Sequence, residues 1–167
     1  MRANPGGEID PADVVGRDSL ISGLWRVLGR QSLELTAERR MGKSSVIKKM
    51  TAEPPAGTLA VYQDLEGVRT RLEFVETVYR HAEGFLSRRK KRADRLHRVL
   101  TSLGGVQFRG FKLPQAMAPD WKRLLQAVSD DLQEHLDRVL VFFWDEMPFM
   151  LQNVERTEGV EASREVL

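Results

Sequence analysis

Residues 37–44, Ala37-Glu38-Arg39-Arg40-Met41-Gly42-Lys43-Ser44, set a small residue, a four-residue spacer, a glycine, a lysine and a hydroxyl in a row. That spacing suits the capture of a polyphosphate. The backbone N–H groups of such a loop, with those at the N-terminus of a following helix, bind anionic phosphate. Lys43 would reach the β- and γ-phosphates, and Ser44 would hold Mg2+ through its hydroxyl. Ser45 extends the run of local N–H donors, and Gly42 lets the backbone approach closely. Ala37 stands where the pattern usually has Gly, which requires its dihedrals to stay in allowed regions. Average residue usage produces the pattern by chance in roughly 1% of chains of this length, so coincidence is the reading to beat. A Lys43→Ala change is expected to weaken ATP binding strongly and leave the fold intact.

A second group of residues has the complementary chemistry. Asp145-Glu146 ends the apolar run Val139 to Trp144. Carboxylates at the C-terminal edge of a parallel sheet face the ligand crevice. Asp145 is placed to hold Mg2+, and Glu146 to polarise a water for attack on the γ-phosphate. The plain alternative is a solvated turn with two acids. Asp64 and Glu66 end another strand and stand between the same two readings, crevice or turn capping.

These groups need elements to position them. Asp18 is expected to cap a helix that aligns Leu20, Ile21, Leu24 and Leu28. Residues 32–36 read as a short strand and residues 43–50 as a helix, stopped by Pro54-Pro55-Ala56-Gly57. The next strand is 58–65. Val75, Val78, Tyr79, Ala82 and Phe85 form a helical stripe, and residues 87–100 continue as a basic helix. Residues 106–113 suggest a hairpin. Asp120 caps a helix with Trp121, Leu124, Leu125, Val128, Leu132 and Leu136 inward. The lack of alternation in 139–144 predicts a strand buried on both faces of a parallel sheet. Strand, helix, strand, helices, strand is an α/β order.

The totals exclude some classes and leave others. The 167 residues suffice for one core, and 41% hydrophobic with 30% charged is ordinary globular composition. There are no cysteines, so disulfides and thiolate metal sites are out. His81, His97 and His135 lack metal-ligand spacing. The first 18 residues hold no apolar run of signal-peptide length, and 139–151 is interrupted by two acids, so a cytoplasmic protein with no membrane partner is expected. A net charge of +2 does not imply nucleic acid. The run Arg88, Arg89, Lys90, Lys91, Arg92, with Arg95 and Arg98, supports a different class of function, a non-catalytic module touching nucleic-acid phosphates or a protein partner. No aromatic residue lies within the run to stack on bases.

Taken together, "VVGRD" at 14–18, "ERRMGKSS" at 38–45, "VYQDLEG" at 61–67 and "VLVFFWDEMPFML" at 139–151 resemble the archaeal-type ATPases of the STAND class, within the AAA+-like P-loop ATPases. The resemblance implies a three-layer α/β/α P-loop domain over 14–167, after a flexible segment 1–13. It implies ATP as the nucleotide, Mg2+ as the metal, and a conformational switch driven by hydrolysis. It sets Val15, Gly16 and Arg17 near the adenine or the hinge, and matches Arg39 and Arg40 to the paired arginines of the loop. The family's sheet places a fourth strand between strands one and three, which this chain is not expected to supply. The parallel sheet is therefore expected to be incomplete and the chain alone inactive, with self-association or a missing C-terminal half to complete it.

Overall fold

The computed structural model describes residues 9–38, 41–86 and 120–167. The expected basic helix at 87–100, with its arginines and lysines, and the expected hairpin at 106–113 lie outside these residues, as do Arg39 and Arg40. The elements are a 3-10 turn Pro11–Asp13, α1 Asp18–Leu28, α2 Lys43–Ala52, β1 Thr58–Asp64, α3 Arg71–Leu86, α4 Trp121–His135, β2 Val139–Asp145, α5 Met147–Glu158 and α6 Val160–Arg164. β1 and β2 form a two-stranded parallel sheet. Parallel neighbours need a long crossover, and here the connection carries α3 and α4. The fold is mixed α/β. Two compact units divide it, Met1–Gln63 with Arg138–Asp145, and Asp64–Asp137 with Glu146–Leu167.

In the first unit, α2 buries Val46, Ile47 and Met50. It stops at Glu53 before the two prolines, and Gly57, at φ 80°, turns the chain into β1. The N–H of Val139 donates to the Gly57 carbonyl at 3.1 Å, which joins the starts of the two strands. Asp10 accepts from the N–H of Ala12 and caps the 3-10 turn, and Lys49 donates to the Pro11 carbonyl at 3.3 Å. α1 differs from expectation. Asp18 is its first helical residue rather than its cap; Arg17 holds the cap position and makes no side-chain cap bond. There Asp18 still opposes the positive end of the helix dipole. No residue of α1 is buried, and Leu20 is exposed. Its best anchored side chain is Trp25, edge-on to Phe143 at 5.7 Å, although the buried Trp25 Nε1 has no hydrogen-bond partner.

Two strand expectations are corrected. Residues 32–36 form no strand, and of these only Leu35 is even half-buried. A strand needs a ladder to satisfy its N–H and C=O groups, and none pairs with this segment among the described residues. β2 is not buried on both faces: Val139 and Trp144 are exposed, the middle is half-buried, and only Asp145 is buried. With one neighbouring strand in the sheet, an apolar run has less to cover it than in the wide parallel sheet that its composition suggests.

The second unit is helical. Asp120 accepts from the N–H of Arg123 at 3.1 Å and starts α4 as expected. Trp121, Leu124, Ala127, Val128 and Leu132 are buried along it, and Val75 and Val78 along α3, which packs against it. Leu125 and Leu136, both expected inward, are half-buried. α5 packs on α6, with Met150, Val154 and Ala162 buried. Arg71 ties three elements: its backbone N–H and Nε donate to Glu158, and its Nη1 reaches Glu165 at 2.6 Å.

Leu124 is fully buried and Val15 is 75% exposed. Leu124→Ala is expected to lower unfolding free energy by about 2–5 kcal/mol, through lost transfer energy and the cavity left behind. Val15→Ala should change it by less than about 0.5 kcal/mol. Urea titration of both variants checks this, and equal midpoints would remove Leu124 from the core.

Candidate phosphate and metal site

Gly42 precedes Lys43 at the head of α2 with φ 81° and ψ 24°, a left-handed conformation that any side chain would strain. That turn aligns the chain so that the Gly42 carbonyl accepts the N–H of Val46 at 3.0 Å and the helix begins at once. The N–H groups of Lys43, Ser44 and Ser45 belong to the first turn, where a helix has no intrahelical acceptor to offer. Upstream, the N–H of Met41 donates to the Glu38 carbonyl at 3.2 Å. Ala37 and Glu38 are exposed, as is Met41.

Lys43 meets Asp145. Its Nζ lies 2.9 Å from Asp145 Oδ1, and Asp145, at the end of β2, is 2% exposed. The phosphate loop and the end of β2, read in sequence as phosphate and metal chemistry, are joined by this ion pair. The other carboxylate oxygen, Oδ2, accepts from the Tyr62 hydroxyl at 3.1 Å. Alternate residues of a strand share a face, so Phe143 and Asp145 lie together. On that face Trp25 of α1 meets Phe143, and Lys43 of α2 meets Asp145. On the opposite face Phe142 and Trp144 stack, and Trp144 Nε1 donates to the buried Gln63 Oε1 at 2.7 Å. Sequence reasoning missed Tyr62. Its hydroxyl gains a purpose only once β1 is known to run beside β2.

A carboxylate this buried needs a cation beside it. Lys43 supplies one, and its own side chain is 28% exposed. The pair adds a stability cost to the expected effect of Lys43→Ala, because removing one partner of a buried pair strands the other charge.

The remaining expected residues are placed as follows. Glu146 starts α5 at its cap position with φ 58° and ψ 29°, and its carbonyl accepts from the N–H groups of Phe149 and Met150. Among the described residues it alone, glycines aside, has positive φ. Val15, Gly16 and Arg17 are exposed just before α1. Asp64 accepts the N–H of Glu66 at 2.9 Å, and both are exposed, which is the turn-capping alternative.

The donor set fits one kind of cation site. Among the described residues no three His, Cys, Asp or Glu side chains converge. Mg2+ commonly takes one or two protein oxygens and completes its shell with substrate phosphate and water. Asp145 and Ser44 carry oxygens of the type such a site uses, and do not make a cage by themselves.

The pair can be weighed by a double-mutant cycle. Lys43→Met is expected to destabilise by about 3 kcal/mol. Lys43→Met with Asp145→Asn should recover part of that loss, with a coupling of about 1–3 kcal/mol. Chemical denaturation of the four proteins measures it, and strict additivity would show that the ion pair contributes nothing.

Comparison with known proteins adds no relative: no family model, no curated protein and no solved structure matches the chain.

Proposed function

We propose that this chain is an ATP-binding P-loop domain of the AAA+-like, STAND type, which binds Mg-ATP and, when the domain is complete, hydrolyses it to drive a conformational switch. The observation that supports this most is the 2.9 Å approach of Lys43 to Asp145. Two motifs far apart in sequence, each carrying phosphate or metal chemistry, meet where a helix begins and a parallel strand ends. In this reading the loop N–H groups and Lys43 hold the phosphates. Ser44 and Asp145 hold Mg2+, which neutralises charge on the phosphoryl oxygens. Glu146 follows Asp145 directly in the chain and serves as the residue that orients the attacking water.

Ser44 gives a cleaner test than Lys43, because it carries no counter-charge for Asp145. Ser44→Ala is expected to reduce ATP affinity about tenfold in Mg2+, with little change in EDTA and an unfolding midpoint within about 0.5 kcal/mol of the parent. Calorimetric titration with and without Mg2+ reads both arms. A parent that binds no ATP under either condition would sink the proposal. Glu146→Gln should retain ATP and slow any phosphate release that the parent shows, since an amide is a poor base. Release at the parental rate would take Glu146 out of the chemistry.

A further inference from the structure

We infer that Tyr62 is a positioning residue, which fixes the plane of the Asp145 carboxylate so that Oδ1 keeps its aim when Lys43 turns to phosphate. The inference rests on the proposed nucleotide site and goes beyond it, because no part of the phosphate-loop pattern calls for a tyrosine on β1.

The argument starts from the aspartate side chain. Its terminal torsion joins sp3 to sp2 carbon, so its wells are broad and roughly two-fold. The Asp145 backbone alone therefore does not decide which way the two oxygens face. Two bonds act on it here: Lys43 Nζ on Oδ1 at 2.9 Å, and the Tyr62 hydroxyl on Oδ2 at 3.1 Å. A phosphate that takes up the ammonium removes the first bond. The second comes from the neighbouring strand and does not depend on Lys43.

Tyr62 is itself braced. Lys48 Nζ stands 5.2 Å from the centroid of its ring, a cation–π contact. Lys48 and Lys43 belong to the same helix, α2, so one rigid element reaches both the carboxylate and the ring that holds it. The hydroxyl carries a single hydrogen, and donating it to Oδ2 leaves Oδ1 as the oxygen for a cation. Tyr62 touches neither phosphate nor metal in this account, and acts through Asp145.

Tyr62→Phe tests it. The ring, its packing and its contact with Lys48 remain, and only the hydroxyl goes. ATP affinity is measured by calorimetry in Mg2+ and in EDTA for parent and variant, with folding verified by circular dichroism. A hydrogen bond to a charged group is worth enough that the gain in affinity from Mg2+ should fall about tenfold. Affinity in EDTA should stay at the parental value. A merely structural tyrosine would change both conditions alike and leave the Mg2+ gain as it was, and that result overturns the inference while leaving the nucleotide site standing. A parent without ATP affinity in either condition overturns the proposed function, and the inference with it.

Discussion

A carboxylate that is 2% exposed sets the terms for the first unit. Asp145 cannot remain ionised in that setting without a cation and hydrogen-bond donors close by. β2 brings the carboxylate, α2 brings the ammonium on its first residue, and β1 brings a hydroxyl from its neighbouring position. Each element is thereby held to a place. If α2 began one residue later, Lys43 would leave the helical frame that aims it. Helical side chains rotate by about 100° per residue, so a register shift of one would also carry Val46, Ile47 and Met50 away from the core.

The backbone is unusual on both sides of this pair. Gly42 precedes Lys43 in a left-handed conformation, and Glu146 follows Asp145 in another. Glycine adopts such a conformation without cost, whereas a glutamate gives up about 1 kcal/mol or more. At Gly42 the turn lets the helix start immediately, with its N–H groups unspent. At Glu146 the turn ends a strand and starts a helix within one residue, with Pro148 in the first turn, where its lack of an N–H is harmless. Glu146 is thus the one non-glycine residue among those described that makes such a turn.

Much of this was legible in sequence, because it depends on local signals. The 37–44 spacing, the prolines after α2, the cap at Asp120 and the helical stripe from Trp121 to Leu132 all act within a few residues. Lys43 and Asp145 were each singled out by their own motif, but their direct ion pair is a property of the fold. What failed was whatever depends on a neighbour. Residues 32–36 have strand composition, but hydrogen bonding in a sheet is a property of pairs, and this segment pairs with nothing among the described residues. The burial of β2 was overestimated for the same reason: an apolar run says what a strand prefers, and its neighbours decide what it receives. Tyr62 was invisible because an isolated tyrosine in a strand is ordinary, and the 3.1 Å bond joins residues far apart in the chain.

On the proposed reading, the Lys43–Asp145 pair also governs how nucleotide and metal would bind. A phosphate alone would draw Lys43 away and leave Asp145 buried without its cation. A metal ion alone would have to displace an ammonium already at 2.9 Å. Either event by itself breaks a buried pair, a cost of about 3–5 kcal/mol. Together they exchange partners: the ammonium moves to phosphate, the metal takes the carboxylate, and no charge is stranded. Two ligands that each relieve the penalty of the other are positively coupled, and thermodynamic linkage makes the coupling equal in both directions. The Lys43–Asp145 pair is then more than a stabilising contact. On the proposed reading it would make nucleotide and metal favour arriving as one unit, and both its residues belong to the first unit.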